Sequence, residues 1–585
     1  MVAKLRKTPN ENGRTPIVCG ADIELGNFVR GLDQRGGTGR GASRLLLREI
    51  QGYPGPKATA LRVCECARCR SARKAVLAGT RVEASEGLGL ALFDPRDWGR
   101  KFLPTNGGCA YIDMDHLELC LPEVTSAFDH VSAWHAMLAI ARKAMLAANA
   151  KLPPDQSLQL LVNNSDGFGH SYGSHLNFLV TRRTWDNLFQ RKMHYLLWLA
   201  AFQASSIVFS GQGKVGSEND APHVNYQISQ RADFFEQLVS IQTTHNRPLV
   251  NSRNESLCGP GGPKSGGDLA RLHVIFFDNT LSHTACLLKV GVMQIVIAMI
   301  EAERVNLDLL LDDPVDAVHR WSHDPTLETR AHLAAGPDVT AVELQLLFLE
   351  EARTFVEDGG CEGIVPRASE IIELWADTLQ KLWRRDWASL EGRLDWVLKL
   401  RLLEGVIAER RGLDWSSIEL KHLDHAYANL DLNEGLYWAC ERSNRVERIA
   451  SEEEIAFFET NPPNDTRAWT RAMLLRAVEP AAIIDVDWHQ MEFAFRDQEN
   501  RGQRLSLKMG HPLAFNRTET EAVIAKSQTL EGLLKRLGSG ARVENSITRH
   551  PKRGERLPTI NERGRRGARK RARTHTSNAS QGTHK

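Results

Sequence analysis

Six acidic residues stand at short spacings in two stretches of the chain: Asp22 and Glu24 in GADIELG, and Asp113, Asp115, Glu118 and Glu123 in YIDMDHLELCLPE. His175 and Arg253 follow downstream. Hard cations such as magnesium take carboxylate oxygens, and acids two positions apart on a strand point to the same face. Arginine offers a planar fork to phosphate oxygens and neutralises charge that develops on them. These residues are the ingredients of a nucleotide and magnesium site. Taken singly, each acid reads as a solvated or salt-bridged residue; the set argues for a cation. The turn SGQGKVG is not a P-loop, because its glycines, lysine and hydroxyl residue are wrongly spaced. Cys64, Cys66 and Cys69 form a C-x-C-x-x-C run with three soft ligands. A closed zinc site would need a fourth ligand, Cys19 or a histidine, and a plain reduced loop is the competing reading.

The elements that must position these groups are legible from hydrophobic period. PIVCGADIELGNFV reads as a strand, and residues 30–104, rich in Gly and Arg, read as a large, partly mobile insertion. GGCAYIDMDHLELCLPE reads as one period-two strand, with Tyr111, Asp113, Asp115 and Leu117 on one face and Ile112 and Met114 on the other. HVSAWHAMLAIARKAMLAANAKL is an amphipathic helix, followed by a strand at SLQLLVNNSD and a Gly-rich turn. Further strands are expected at SSIVFSGQGKVG, RPLVNSRNE and LARLHVIFFDNT, and a long apolar helix near VGVMQIVIAMIEAERV. From about 338 to 411 the pattern is helical, its Trp and Leu stripes reading as core. NPPNDTRAWTRAMLLRAV is a loop opening another helix, and residues from 539 onward are Gly, Arg, Ser and Thr with few large apolars, a composition expected to be disordered.

With 42% apolar and 25% charged residues, the 585-residue chain has the composition of a globular protein, which excludes a disordered or membrane class. It shows no run of about 18 apolar residues and no apolar segment near its start, so neither a membrane span nor a secretion signal is expected, and the location is read as cytoplasmic. The net charge of +2 hides a division. Residues 549–585 hold 12 Lys or Arg against 2 Asp or Glu, a net of +10, so the remainder carries −8. The basic tail, with RRGARKRAR at 565–573, could contact nucleic acid or an acidic partner weakly. No aromatic follows Phe515 to stack on bases, and a solubilising tail is the competing reading.

GADIELG, NGGCAYIDMDHLELCLPE, NNSDGFGHSYGSHLNFLV, FSGQGKVG, SQRADFFE, RPLVNSRNE, RLHVIFFDNTLSHTACLLKVG, LDWVLKLRLLEG and NPPNDTRAW occur in that order. Over about residues 17–490 the chain thereby resembles the Pup ligase and Pup deamidase/depupylase family, whose fold is similar to that of glutamine synthetase. The resemblance implies an α+β fold: a curved, mainly antiparallel β-sheet cradle packed by helices, with a small C-terminal domain. It implies a flexible start at 1–16, a catalytic domain at 17–425 with the insertion at 30–104, a small domain at 426–538 and a disordered basic tail at 539–585. It implies ATP (or ADP and phosphate) and Mg2+ as cofactors, a small acidic Pup-like modifier and its conjugates as partners, and no membrane. Asp113 matches the family's essential aspartate, which attacks the terminal Gln or Glu side-chain carbonyl of Pup or activates water. Asp22, Glu24 and His175 match metal-binding positions, and Arg253 and Tyr111 nucleotide-binding ones.

Asp22 and Asp113 lie 91 positions apart, a long connection of the kind the deamidase has and the ligase lacks. The Asp-Gly of NNSDGFG and Ser174, where ligases have Cys, point the same way. The expected activity is therefore an ATP- and Mg2+-dependent amidohydrolase; the alternatives are a Pup ligase working through a glutamyl phosphate, or a non-catalytic binder of the modifier. The chain departs from the family's pattern in several places. Asp22 replaces a Glu, Leu176 replaces a Glu after His175, NSRNESLCG replaces an Asp-Glu-Pro-His segment, and His283 stands where an acid is usual. The insertion lacks the acidic, Trp-containing signature of the deamidase loop. These changes bear on metal number and on ATP geometry.

Overall fold

The computed structural model describes residues 15–31, 39–54, 100–254, 268–496 and 502–538. Its first strand, β1 (Cys19–Arg30), alternates Asp22 and Glu24 with Ala21, Ile23 and Leu25, and the apolar set is completely buried. A strand with one wettable and one apolar face must sit in a sheet whose two sides differ. There follow α1 (Gly39–Glu49), β2 (Tyr53–Pro54), β3 (Lys101–Phe102), β4 (Cys109–Asp113), β5 (His116–Cys120) and α2 (Ala127–Asn149). Next come β6 (Ser157–Leu161), β7 (Ser174–Thr181), α3 (Met193–Ser210), β8 (Leu269–Val274) and α4 (His283–Glu301). The eight strands form one sheet in the order β8-β7-β1-β5-β4-β3-β2, with β6 also paired to β1. Every neighbouring pair is antiparallel.

Ile23, Leu25, Leu117, Leu119, Leu176 and Phe178 turn to one face of the sheet and join the main hydrophobic core. The core continues through α2, α3 and α4 into α5 (Ala341–Glu357), α6 (Ala368–Arg384) and α7 (Asp395–Glu409), where Trp375 and Trp396 are fully buried, as the helical stripes imply. α3 and α4 are long and apolar enough to cross a membrane, yet 83% and 100% of their apolar windows are buried inside the protein. They are core helices, apolar all round because they are packed all round. The described parts of Met1–Ala494 and Arg504–Arg542 form one compact unit.

The structure differs from the sequence reading in three elements. The stretch at 109–120 is a hairpin rather than one strand, because Met114 and Asp115 both take positive φ (42° and 79°) and turn the chain in two residues. Such a turn usually advertises itself with Asn-Gly or Asp-Gly, and here it does not. Asp115 therefore sits in the turn, and Glu118 rather than Leu117 shares the face of Tyr111 and Asp113. SSIVF is the last turn of α3, its β-branched residues held helical by burial on every side. The ends of the 30–104 insertion are built into the fold: α1 buries Ala42, Leu46 and Leu47, and β2 pairs with β3. Cys64, Cys66, Cys69 and the basic tail lie outside the described residues.

A buried ion cluster ties the hairpin to the C-terminal part. Glu123, 12% exposed, receives Arg467 Nε at 2.7 Å and a second arginine, Arg471, from α8 (Ala468–Ala477). Arg471 also donates to Gly107 O at 2.9 Å, and Arg467 to Met509 O at 2.8 Å. Burial alone would raise the Glu123 carboxyl, but the two guanidiniums override it and hold it at about 2. Glu123, an acid that sequence groups with the cation ligands, is thus a structural counter-ion. Because its folded pKa is depressed, its stabilisation is present above the ordinary carboxylate range and is lost as pH falls toward about 2. Glu123→Gln is expected to cost about 3–5 kcal/mol by leaving two buried arginines unmatched. Denaturant titrations should show that loss at neutral pH, and a flatter stability profile than wild type between the carboxylate range and about pH 2.

Candidate active site

The polar face of the sheet is the floor of a cavity of about 730 Å3, and the six residues to which the resemblance gives catalytic, metal or nucleotide roles, Asp22, Glu24, Tyr111, Asp113, His175 and Arg253, line it. Register explains their convergence. Asp22 lies between His175 on β7 and Cys120 on β5, Glu24 opposite Glu118, Glu118 opposite Tyr111, and Asp113 opposite His116 at the hairpin end. Arg253 arrives from the segment after the short strand Arg247–Asn251, its backbone N–H donating to Asn251 Oδ1 at 3.0 Å.

Two groups of potential ligand atoms close to within 4.8 Å of one another among the described residues: Glu24, Asp113 and Glu118, and Asp22, Glu118 and Cys120. The expected trio Asp22, Glu24 and His175 is not one of them, although all three face the same space. Glu118, absent from that trio, belongs to both groups. Sequence sets Glu118 among the candidate acids, but its face depends on a two-residue turn that the pattern does not show.

Electrostatics set these acids apart. Burial first, then the Asp113 charge, raises the Glu24 carboxyl. Burial, then Asp22 and Glu24, pushes Glu118 well above the carboxylate range. Glu118 is 2% exposed and its Oε2 has no hydrogen-bond partner. An orphaned buried oxygen among other carboxylates costs free energy that a divalent cation removes, so the residues fit a hard cation. Burial and then the arginines Arg231, Arg271, Arg253 and Arg247 push His175 well below its ordinary value, which leaves a neutral imidazole with a lone pair to offer. Its ring meets that of His273 edge-on at 5.0 Å.

Supporting contacts fix the floor. Asn177 Nδ2 donates to Asp22 Oδ2 at 2.9 Å, and Arg271 Nη1 donates to Asn177 Oδ1 at 2.9 Å. Arg100 lies 5.1 Å above the Tyr111 ring, and His116 packs 4.2 Å from that of Tyr172. Gly173 is required by close approach: a Cβ there would stand 2.4 Å from His175 Nε2 and 2.5 Å from Glu24 Oε1. Sequence reasoning missed Arg100, Arg247 and Arg271, which line the cavity beside Arg253. Acids on the floor and arginines around it suit a polyanion bridged to carboxylates by a cation. Two of the departures from the family's pattern lie elsewhere. Leu176 points into the core, and His283, its ring stacked 3.9 Å from His135, receives the N–H groups of Ile449 and Ala450.

Residues 63–492 match the family described as Pup-ligase protein. The chain is 36% identical over 393 residues to the depupylase of Acidothermus cellulolyticus, covering 66% of this chain and 74% of that one. It is 34% identical over 413 residues to the Pup–protein ligase of Acidimicrobium ferrooxidans, covering 69% and 86%. Among solved structures, the Pup ligase PafA in complex with Pup superposes with a TM-score of 0.67 at 22% identity, covering 87% of this chain and 91% of that one.

The raised Glu118 carboxyl predicts a trade between stability and metal binding. A folded pKa above the unfolded one means that metal-free stability falls as pH rises through the folded value. Glu118→Gln should therefore stabilise the metal-free chain by about 0.5–2 kcal/mol at neutral pH. Thermal unfolding with and without Mg2+ tests this: the ion should raise the wild-type midpoint and leave the variant's nearly unchanged. A metal-free variant no more stable than wild type would sink the argument.

Proposed function

This chain belongs to the Pup-ligase family, and we propose that within it the chain is an ATP- and Mg2+-dependent amidohydrolase. Its substrate in this reading is a small acidic Pup-like modifier. It hydrolyses the side-chain amide of the modifier's C-terminal Gln, the isopeptide bond to substrate lysines, or both, in the cytoplasm. The catalytic part is residues 17–425, with 426–538 as a small C-terminal part. The observation that carries the reading is the placement of Asp113. It ends β4 on the floor of the cavity, beside Glu24 and Glu118 and under the arginine-bearing wall. The separation of 91 positions between Asp22 and Asp113 and the depupylase relative support hydrolysis over ligation.

In this mechanism Asp113 either adds to the side-chain carbonyl carbon, expelling the amine and leaving an anhydride that water opens, or takes a proton from the attacking water. The leaving amine takes its proton from Asp113 in the second route and from solvent water in the first. Glu24 and Glu118 would hold Mg2+, with Asp22 and His175 facing the same space. When bound, the ion neutralises charge between the carboxylates and the nucleotide phosphates. Arg253, with Arg247, contacts those phosphates and fixes their position. Tyr111 lies opposite Glu118 and stays a neutral phenol, because burial and then Cys120 and Glu118 raise its ionisation far above its ordinary value. Its ring supports the nucleotide side of the floor.

A ligase reading is favoured by the Acidimicrobium ferrooxidans relative, and one assay separates the two. Incubated with ATP, Mg2+ and a Gln-terminated Pup-like protein, the chain should convert the terminal amide to a carboxylate, seen by intact-mass measurement. Stoichiometric ADP and covalent conjugates would instead establish the ligase. Asp113→Asn should lower the deamidation rate by a factor of about 10^2–10^4 or more while nucleotide binding persists. Retention of the wild-type rate would remove Asp113 from the mechanism.

A further inference from the structure

The Asp22–Glu118–Cys120 corner differs from the neighbouring carboxylate group in one respect that changes its chemistry. Asp22 and Cys120 are direct partners across β1 and β5, and Glu118 lies two residues before Cys120 on the same face. One oxygen of each acid and the Cys120 Sγ lie within 4.8 Å of one another. Ligands of a tetrahedral ion with bonds of about 2.0–2.3 Å stand roughly 3.3–3.8 Å apart, so shifts of about 1 Å close the group on a cation. The Cys120 thiol is 2% exposed and lines the cavity, and Glu118 brings a second, independent observation: it is equally buried and its Oε2 has no partner. Asp22 is held by Asn177, the outer hydrogen bond that orients a metal-binding carboxylate.

Magnesium demands oxygen ligands and gains nothing from sulfur, whereas zinc and its class take thiolate together with carboxylate. We propose that this corner is a second metal site that takes a thiophilic divalent cation of the zinc class, beside the all-oxygen group at Glu24, Asp113 and Glu118. The inference deepens the proposed function, since it concerns the same cavity. Binding replaces the S–H bond by an S–metal bond, with the thiol proton released to solvent. Three protein ligands leave the fourth position for water or a substrate atom. Because Glu118 is common to both groups, occupancy of this corner alters magnesium affinity at the other.

The test is spectroscopic and reads no enzyme activity. The full chain carrying Cys64→Ser, Cys66→Ser and Cys69→Ser, which removes the other soft-ligand run, is titrated with Co2+. A sulfur-to-cobalt charge-transfer band should grow and saturate at a single metal per chain. Zinc should displace it, and excess Mg2+ should not. Adding Cys120→Ser should abolish the band and weaken cobalt binding by roughly tenfold or more, since losing even an outer partner of a ligand costs that much. Cys286→Ser, which alters a buried thiol in α4, should leave the band intact. Glu118→Gln keeps the thiol and should also weaken cobalt, which decides the matter if the Cys120 variant folds poorly. No sulfur band, a band surviving in Cys120→Ser, or wild-type cobalt affinity in Glu118→Gln would overturn the site. A band in a chain without hydrolase activity would support the site and count against the function alone.

Discussion

Four carboxylates share one small space: Asp22, Glu24, Asp113 and Glu118 crowd the polar face where β1, β5 and β4 run side by side. Buried like charges cannot all ionise unless something opposite in sign joins them. Among the described residues, no lysine or arginine forms an ion pair with any of the four, and His116, 3.9 Å from Glu24, is held below its ordinary value by burial. The contrast with Glu123 is instructive. That acid is met by two arginines and held at about 2, whereas Glu24 and Glu118 are pushed upward. The chain neutralises buried acids elsewhere with its own cations, Asp424 with Lys399 and Asp233 with Lys214 as well as Glu123 with its arginines. The four on the cavity floor have no such partner among the described residues.

Everything around the cluster works to keep it together. Its strands carry the acids on one face because the other face is filled by Ile23, Leu25, Leu117 and Leu119, so slipping any strand by one residue would drive carboxylates into the core. The hairpin that brings Glu118 beside Glu24 depends on two non-glycine residues at positive φ, a local cost that the paired strands sustain. The Arg467 and Arg471 clamp fixes the chain just beyond β5, so the cluster's position depends on contacts made more than 300 residues away in sequence.

Much of this was legible in the sequence, and the failures have physical causes. The α+β class, the helical run after residue 338 and the six cavity residues follow from periodicity and from the family resemblance. The long hydrophobic stripes left little choice of face. Glu118 was mis-faced because a turn lacking Gly or Asn leaves no mark on a period-two pattern, and every residue after it changes parity. SSIVF looked like a strand because its β-branched residues are strand formers, and burial on all sides overrode that preference. The arginine wall was invisible because Arg100, Arg247 and Arg271 come from separate elements, and only the folded sheet gathers them.

The departures from the family's pattern read differently once faces are assigned. Leu176 and His283 replace acids, which on sequence alone suggests a site losing its metal ligands. Yet Leu176 points into the core, and His283 is packed against His135 and receives two backbone N–H groups. Neither lines the cavity. Of these replaced acids, Asp22 is the one on the cavity floor. It is a methylene shorter than the glutamate it replaces, and its strand partner is Cys120. A shorter acid draws an ion toward β1, and a thiol on the adjacent strand then comes within reach of it. Leu176 and His283 therefore cost the floor no ligand, and the shorter acid beside a thiol suits the softer cation proposed for this corner.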